Sequence, residues 1–333
     1  MSKYTPFIAG FSIILFIALI SYSLLSSNKP VKPASLAYTE AEVEMAVEKE
    51  LKARIYNDGV TPQPQIVSKT GSMSNIPIIL PIPDRLDFCG ERVPLEDPDI
   101  LERFERELYI TAQRSYQVVF YLKRGGKYFP EIEQILREEK APLDLIYLSA
   151  IESDLIPTIR SPKGALGLWQ FMPETAKRYR LTVNKYIDER MHTDKATRAA
   201  VRYLRESKEK FGSWTLAAAS YNMGVSRTSR TISEQRTKNY YKLHINQETS
   251  RYVFRILAVK AILENPELYG YYIPKSESYK QEKTKKVVVR QSIPSLPVWL
   301  EKYKLTYYDL KRLNPWVVST RLPKGVYTFE LPI

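Results

Sequence analysis

Cys89 is the only cysteine of the chain, and His192 and His244 are its only histidines, so whatever chemistry the chain performs falls to carboxylates or lysines. A lone cysteine excludes an intramolecular disulfide, and so small a set of thiol and imidazole ligands does not build a zinc cage. Neither histidine has a nucleophile motif beside it, which removes Cys–His and Ser–His–Asp catalysis. No metal and no cofactor is expected. Among the carboxylates Glu152 stands apart, because it falls near the end of Leu143-Asp-Leu-Ile-Tyr-Leu-Ser-Ala-Ile-Glu-Ser-Asp-Leu155, a stretch that is apolar around most of a helical circumference. Burial beside Leu148, Ile151 and Leu155 penalises the ionised form, and the negative end of the helix dipole adds to that penalty. Both effects raise the pKa toward the range where a carboxylic acid donates a proton at neutral pH. From position alone, a Glu paired with a buried Arg or facing solvent would read the same way.

The elements that must hold this residue read as helices. Pro142 opens the segment and Pro157 blocks its continuation. Upstream, apolar residues recur at three- and four-residue steps from Pro98 to about Gly125 and again from Pro130 to Glu139, predicting two helices separated by Gly and Pro. Downstream the pattern predicts helices over Pro173–Arg180, Asp194–Phe211 with Gly212 as its cap, Trp214–Asn222, and Thr249–Glu264. Strand-like alternation is absent from this region.

The 333 residues suffice for one large and one smaller domain, and 44% hydrophobic with 26% charged residues is an ordinary globular balance. A formal charge of +13 favours a polyanionic partner. The chain has no zinc finger, phosphate loop or base-reading basic helix, which argues against nucleic acid. Phe7 to Leu25 holds no charged residue and is long enough to cross a hydrocarbon core as one helix. It reads as an export signal or, since Ser21-Tyr-Ser-Leu-Leu-Ser-Ser27 lacks an A-x-A-like cleavage site, as a retained anchor. A Pro/Lys/Ser linker from Asn28, a short charged helix over Thr39–Ile55 and a Pro-punctuated stretch from Asp58 to Pro83 follow.

Ala150-Ile-Glu-Ser153, Ser161-Pro-Lys-Gly-Ala-Leu-Gly-Leu-Trp-Gln-Phe-Met-Pro173, Ser220-Tyr-Asn-Met-Gly224 and Glu248-Thr-Ser-Arg-Tyr-Val253 occur in that order. Together they resemble the motif blocks of lytic murein transglycosylases, closest to the membrane-bound D type. Ser220 stands where the family carries Ala. The resemblance implies a mainly α chain with a lysozyme-like catalytic domain and a helical N-terminal extension, binding glycan strands of alternating N-acetylglucosamine and N-acetylmuramic acid. It implies Glu152 as the only catalytic acid/base, and a 1,6-anhydro sugar as product. A retaining glycosidase needs a second carboxylate at about 5 Å and an inverting one at about 6.5–9.5 Å. None is evident: Asp154 points roughly 200° away around the helix, and Glu174 suits the first turn of the next helix.

On the same resemblance Ser153, Gly167, Gln170, Tyr221, Asn222, Glu248 and Tyr252 are candidate substrate-binding residues. Ser153 would hydrogen-bond near the catalytic group, or its own helix backbone. Gly164 and Gly167 would let the loop approach the sugar chain. Gln170 and Asn222 would offer amide donors and acceptors, and Tyr221 and Tyr252 would line the cleft or the core. Glu248 would support the site through the cleft tyrosine, or cap its helix. The roles of Trp169 and Phe171 stay open.

Beyond Tyr271 a charged linker, Lys275–Lys286, precedes a strand at Val287–Val289, helices around Val298–Tyr303 and Tyr307–Leu313, and a strand at Val326–Leu331. This βααβ order resembles a divergent LysM module without the usual Gly-Asp-Thr turn, either a glycan binder or a structural appendage. The organisation expected is therefore a signal or anchor at 1–27, a linker at 28–87, the helical and catalytic region at 88–271 with its core at about 130–268, a linker at 272–286 and the module at 287–333. The expected setting is the periplasmic face of a bacterial envelope, with residues 7–25 in the membrane. A goose-type muramidase and a non-catalytic wall-binding scaffold are the alternatives.

Overall fold

The computed structural model describes residues 79–333. The apolar run 7–25, the charged helix read over Thr39–Ile55 and nearly all of the Pro-rich stretch lie outside them. Among the described residues no helix is long and apolar enough to cross a membrane.

The chain is mainly α, as expected. A two-residue hairpin, β1 (Asp87–Phe88) and β2 (Glu91–Arg92), precedes α1 (Pro98–Gln113). Asp97 caps α1 by accepting from Asp99 N at 3.1 Å, and Pro98 fills the first turn, where its missing N–H costs nothing. α2 (Ser115–Glu138) follows almost at once. Here the structure corrects the expected break at Gly125 and Pro130, because α2 runs through both. The two glycines serve close approach instead. A Cβ on Gly125 would meet the Phe129 ring at 2.9 Å, and one on Gly126 would meet the Tyr279 carbonyl oxygen at 2.7 Å. Pro130 removes one helical hydrogen bond, but Tyr121, Ile132, Ile135 and Leu136 are buried on either side of it, and that packing carries the helix through.

α3 (Leu145–Ser153) is short and buried on nearly every side. Its start is tied down by Asp144, whose Oδ2 accepts from Cys89 N at 2.6 Å and from Lys260 Nζ at 2.8 Å. The helix ends before Pro157 is reached, because Asp154 and Leu155 both take left-handed φ, +50° and +55°. A loop then leads to α4 (Pro173–Arg178), α5 (Thr193–Phe211), α6 (Trp214–Met223), α7 (Val225–Gln235) and α8 (Gln247–Glu264). Gly212 closes α5 at φ +90°. Ser213 caps α6, whose first amides are also held by Glu91 of the hairpin: Thr215 N donates to Glu91 Oε2 at 2.9 Å. The hairpin and α7 were not apparent from periodicity. One large core joins α1 to α8, and Phe104, Leu136, Leu148, Trp169, Leu204 and Phe254 are all buried in it.

The C-terminal module is βααβ: β3 (Thr284–Val289), α9 (Leu296–Glu301), α10 (Tyr307–Leu313) and β4 (Tyr327–Pro332). β3 and β4 pair antiparallel, Val287 opposite Phe329. β3 thus begins inside the segment read as linker, and Tyr279 N of that segment donates to Lys123 O of α2 at 2.8 Å. Asn314 is fully buried and binds β4 on both sides of its amide, accepting from Glu330 N at 2.8 Å and donating to Glu330 O at 2.6 Å. The module has its own core of Val289, Leu296, Leu300, Leu310, Val317 and Phe329. It packs on the helical body through Asp188 N donating to Trp316 O at 2.8 Å, Val318 N donating to Tyr186 O at 2.9 Å, and His192 stacked on Trp316 at 5.5 Å between ring centroids.

Candidate active site

Glu152 is the penultimate residue of α3, half-buried, with its carboxylate facing α8. The Tyr252 hydroxyl, from the second turn of α8, donates to Glu152 Oε1. Burial pushes the Glu152 carboxyl up to about 6; the Tyr252 hydrogen bond and the nearby Arg255 charge oppose that rise, and Glu248 adds to it. Tyr252 is 2% exposed, and burial beside Glu152 drives its own pKa well above the phenolic value, so its proton stays on oxygen. The result is a carboxylic acid poised between its two forms near neutral pH and oriented by one neutral donor.

The other carboxylates nearby are engaged elsewhere. Asp154 Oδ1 accepts from Gln117 Nε2 at 2.6 Å and from the Tyr121 hydroxyl at 3.0 Å, both on α2. Glu248 is exposed in the first turn of α8 and accepts from Asn222 Nδ2 at 3.2 Å. The bond to the cleft tyrosine, read for Glu248 from the sequence, is made by Glu152, and the helix cap is Asn246. Glu174 is solvent-facing and pairs with Lys177 at 3.0 Å.

The loop between α3 and α4 is shaped by unusual backbone and one buried cation. Gly164 and Gly167 take φ +89° and +90°, and Gln170 takes +46°. Gln170 Nε2 donates to Ile159 O at 3.0 Å and Gly167 O at 2.9 Å, which leaves its carbonyl oxygen as the atom it can offer a ligand. Trp169 and Phe171, on either side, are core anchors: Trp169 is buried with Nε1 donating to Thr197 Oγ1 of α5 at 2.9 Å, and Phe171 is likewise buried. Between these two anchors Gln170 is half-buried, with its amide nitrogen turned back onto the loop. Arg190, 2% exposed, donates to Gly164 O at 2.9 Å and Phe171 O at 3.0 Å, and Asp188 neutralises it through a two-pronged pair. Nothing local in the sequence marks Arg190, and only its spacing of two from Asp188 hints at a pair.

The α6 residues close the opposite side. The Tyr221 hydroxyl donates to Trp169 O at 2.6 Å, and its ring meets Phe171 and Tyr203 edge-on at 5.9 and 4.9 Å. Asn222 accepts from Thr249 Oγ1 at 2.7 Å while donating to Glu248, so α6 and the start of α8 are bound together. Glu152, Tyr252, Tyr221, Gln170, Asn222 and Glu248 therefore belong to one connected region of α3, the loop, α6 and α8. Ser153 does not extend that network. It is buried, and its hydroxyl turns back to Ser149 O at 2.9 Å. Gly167 lies behind the loop, against Arg190. Among the described residues no group of three or more His, Cys, Asp or Glu side chains is placed to hold a metal ion.

Residues 130–244 match the family described as the transglycosylase SLT domain, and residues 285–333 match the soluble lytic transglycosylase C-terminal LysM-like domain. The chain is 28% identical over 204 residues to membrane-bound lytic murein transglycosylase D of Escherichia coli (strain K12), a match covering 60% of this chain and 45% of that relative. It is 32% identical over 116 residues, 34% of this chain and 56% of the relative, to a protein of Alteromonas sp. (strain M-1) named for tributyltin chloride resistance. The X-ray structure of an inactive mutant of lytic transglycosylase Slt from Pseudomonas aeruginosa aligns at TM-score 0.32 and 21% identity, over 46% of this chain and 26% of that one. The chain spans just under half the length of the transglycosylase D relative, 45% of it.

Proposed function

We propose that this chain, which carries a transglycosylase SLT domain followed by a LysM-like domain, cleaves the β-1,4 bond between N-acetylmuramic acid and N-acetylglucosamine in peptidoglycan. The cut is non-hydrolytic, and Glu152 serves as its single acid/base. Protonated Glu152 gives its proton to the glycosidic oxygen as the bond to the muramyl C1 breaks, with the substrate's own N-acetyl oxygen assisting departure. The resulting carboxylate then takes the proton of the muramyl C6 hydroxyl as O6 closes on C1. The proton count balances, no water is consumed, and Glu152 ends protonated as it began.

The observation that carries this reading is a half-buried carboxyl group held near pKa 6 and bonded by the Tyr252 hydroxyl, with Glu248 the other acid whose charge reaches it. Asp154 is occupied by α2 donors, Glu248 by Asn222 and Glu174 by Lys177. A direct hydrolytic mechanism would call for a second carboxylate as nucleophile or base. A pKa close to the working pH suits one group that must act first as acid and then as base. Tyr252 would hold the carboxylate in place, and Gln170 and Asn222 would face the sugar amides and hydroxyls. The LysM-like module would add glycan contacts away from the cut. Action on peptidoglycan and a transglycosylase D relative named as membrane-bound together favour the periplasmic side of the envelope, with residues 7–25 as the attachment.

The test is digestion of purified murein sacculi with wild type and Glu152→Gln. Release of 1,6-anhydromuropeptides by wild type, reduced about 10²–10⁴-fold in the variant, is the expected result. Reducing ends that incorporate solvent oxygen would instead mark a muramidase, and unchanged release by Glu152→Gln would remove that residue from the chemistry.

A further inference from the structure

α3 is nine residues long, with no side-chain cap at its start and no basic residue in its last turn, and a helix that short has little stability of its own. Glu152 and Ser153 are its final two residues, so the place of the Glu152 carboxyl depends on what holds that end. The chain leaves it through two consecutive left-handed residues, Asp154 and Leu155, at φ +50° and +55°. Asp tolerates this conformation, whereas a bulky Leu adopts it only under strain. Such a pair persists where its surroundings over-determine it.

Leu155 is fully buried in the core, and Asp154 is gripped from α2. Gln117 Nε2 and the Tyr121 hydroxyl donate to its Oδ1 at 2.6 and 3.0 Å, and Arg124 Nη1 donates to its main-chain carbonyl oxygen at 2.8 Å. Steps of four and three residues put these donors on one face of α2. Arg124, braced over the Phe120 ring at 4.4 Å, brings from another helix the cation that the last turn of α3 lacks, where the negative end of the helix dipole favours one. Tyr121 is 3% exposed, and burial together with the Asp154 charge pushes its pKa far above the phenolic value, so its hydroxyl stays a donor. Gln117, Tyr121 and Arg124 all precede residues 130–244, the part matched by the SLT family.

We propose that Asp154 is a positioning residue for the cleavage reaction, a latch through which Gln117, Tyr121 and Arg124 of α2 fix the end of α3 and with it the Glu152 carboxyl. The proposal rests on the reading of Glu152 as the acid. Glu152 is held from α8 by Tyr252, and Asp154, two residues on, is held from α2, so the end of a short helix is fixed from two sides of the fold. The helical extension ahead of the SLT match therefore sets the geometry of the acid.

The test uses the full chain. Asp154→Gly keeps the left-handed turn free of strain and loses the acceptor, whereas Asp154→Asn keeps an Oδ1 acceptor and loses only the charge. Asp154→Gly should lower kcat on murein sacculi about tenfold to a hundredfold with KM nearly unchanged, and Asp154→Asn should recover most of that loss. Gln117→Leu/Tyr121→Phe, which removes both side-chain donors from the α2 side, should match Asp154→Gly. Titration of the Glu152 carboxyl followed by NMR separates positioning from stability. Burial is the larger influence on its pKa of about 6 and the Tyr252 bond the smaller, so a loosened end of α3 admits water and brings that pKa toward 4.5 in Asp154→Gly, while Asp154→Asn stays near 6. A lowered urea midpoint with kcat and the titration both unmoved overturns the proposal, and so does an Asp154→Asn variant as impaired as Asp154→Gly. Full release of product by Glu152→Gln would sink the acid reading instead, and the titration then judges the latch by itself.

Discussion

Gly167 and Arg190 meet so closely that a Cβ built on the glycine would lie 1.9 Å from the Arg190 carbonyl oxygen. The sequence reading placed Gly167 toward the sugar chain, whereas the structure places it where the loop between α3 and α4 presses on the Arg190 segment. Gly167→Ala would have to move that backbone and also hold a left-handed φ of +90°. We expect a loss of about 3 kcal/mol or more, from strain and displaced packing together. Chemical denaturation of wild type and variant checks this, and Gly164→Ala, which has open space at its Cβ position, should cost less.

Arg190→Met should destabilise the chain by about 3–5 kcal/mol, because it strands the buried Asp188 carboxylate and frees the Gly164 and Phe171 carbonyls. The double variant Asp188→Asn/Arg190→Met should recover part of that stability, while activity stays low because the loop presenting Gln170 has lost its tie. Urea midpoints and sacculus digestion, measured on the same preparations, separate the two effects.

Tyr252→Phe removes the hydrogen bond that favours ionised Glu152. With that donor gone the carboxyl becomes harder to ionise, so its pKa rises further above about 6. Because the first step proposed for Glu152 needs the protonated acid, the limb on which kcat/KM falls with rising pH should shift upward. Peak turnover should drop about tenfold through lost orientation, the equivalent of one hydrogen bond to a charged group. A pH–rate profile that keeps its position would show that the tyrosine does not act on Glu152.

His192, packed between the helical body and Trp316, has its pKa pushed down to about 4 by burial, with Lys195 adding to the effect. The unfolded chain binds that proton at about 6.5, so stability from the neutral imidazole is present above 6.5 and is lost as pH falls toward 4. Between pH 7 and 5 the loss should be about 2 kcal/mol. Glu152 works in the opposite sense, its raised pKa giving stability that is lost as pH rises from about 4.5 to 6. Melting curves of wild type and His192→Phe across this range isolate the imidazole contribution, which the variant should lack.

Much of the helical framework was visible in local patterns. Pro98 opens a helix, Gly212 closes one, and the helix read around Tyr307–Leu313 is α10. Gly125 and Pro130 misled for an equally local reason: propensity rules count the bond that Pro removes, but not the core packing that holds α2 together across it. The hairpin at Asp87–Arg92 is too short to carry a period, and its importance lies in distant partners, Lys260, Asp144 and the start of α6.

The chain's own order of residues determined that an acidic group would sit at the end of an apolar helix, with motif blocks downstream and a βααβ tail, since helix period, caps and contiguous motifs are encoded within a few turns of backbone. Tertiary packing alone decided which groups reach that acid. Tyr252 comes from 100 positions away to hold Glu152, Asp154 is drawn to α2 instead, and Arg190 crosses to the loop carbonyls. A side chain's pKa and its partners depend on desolvation and on donors brought close by the whole core, and no local stretch of sequence contains that distance information.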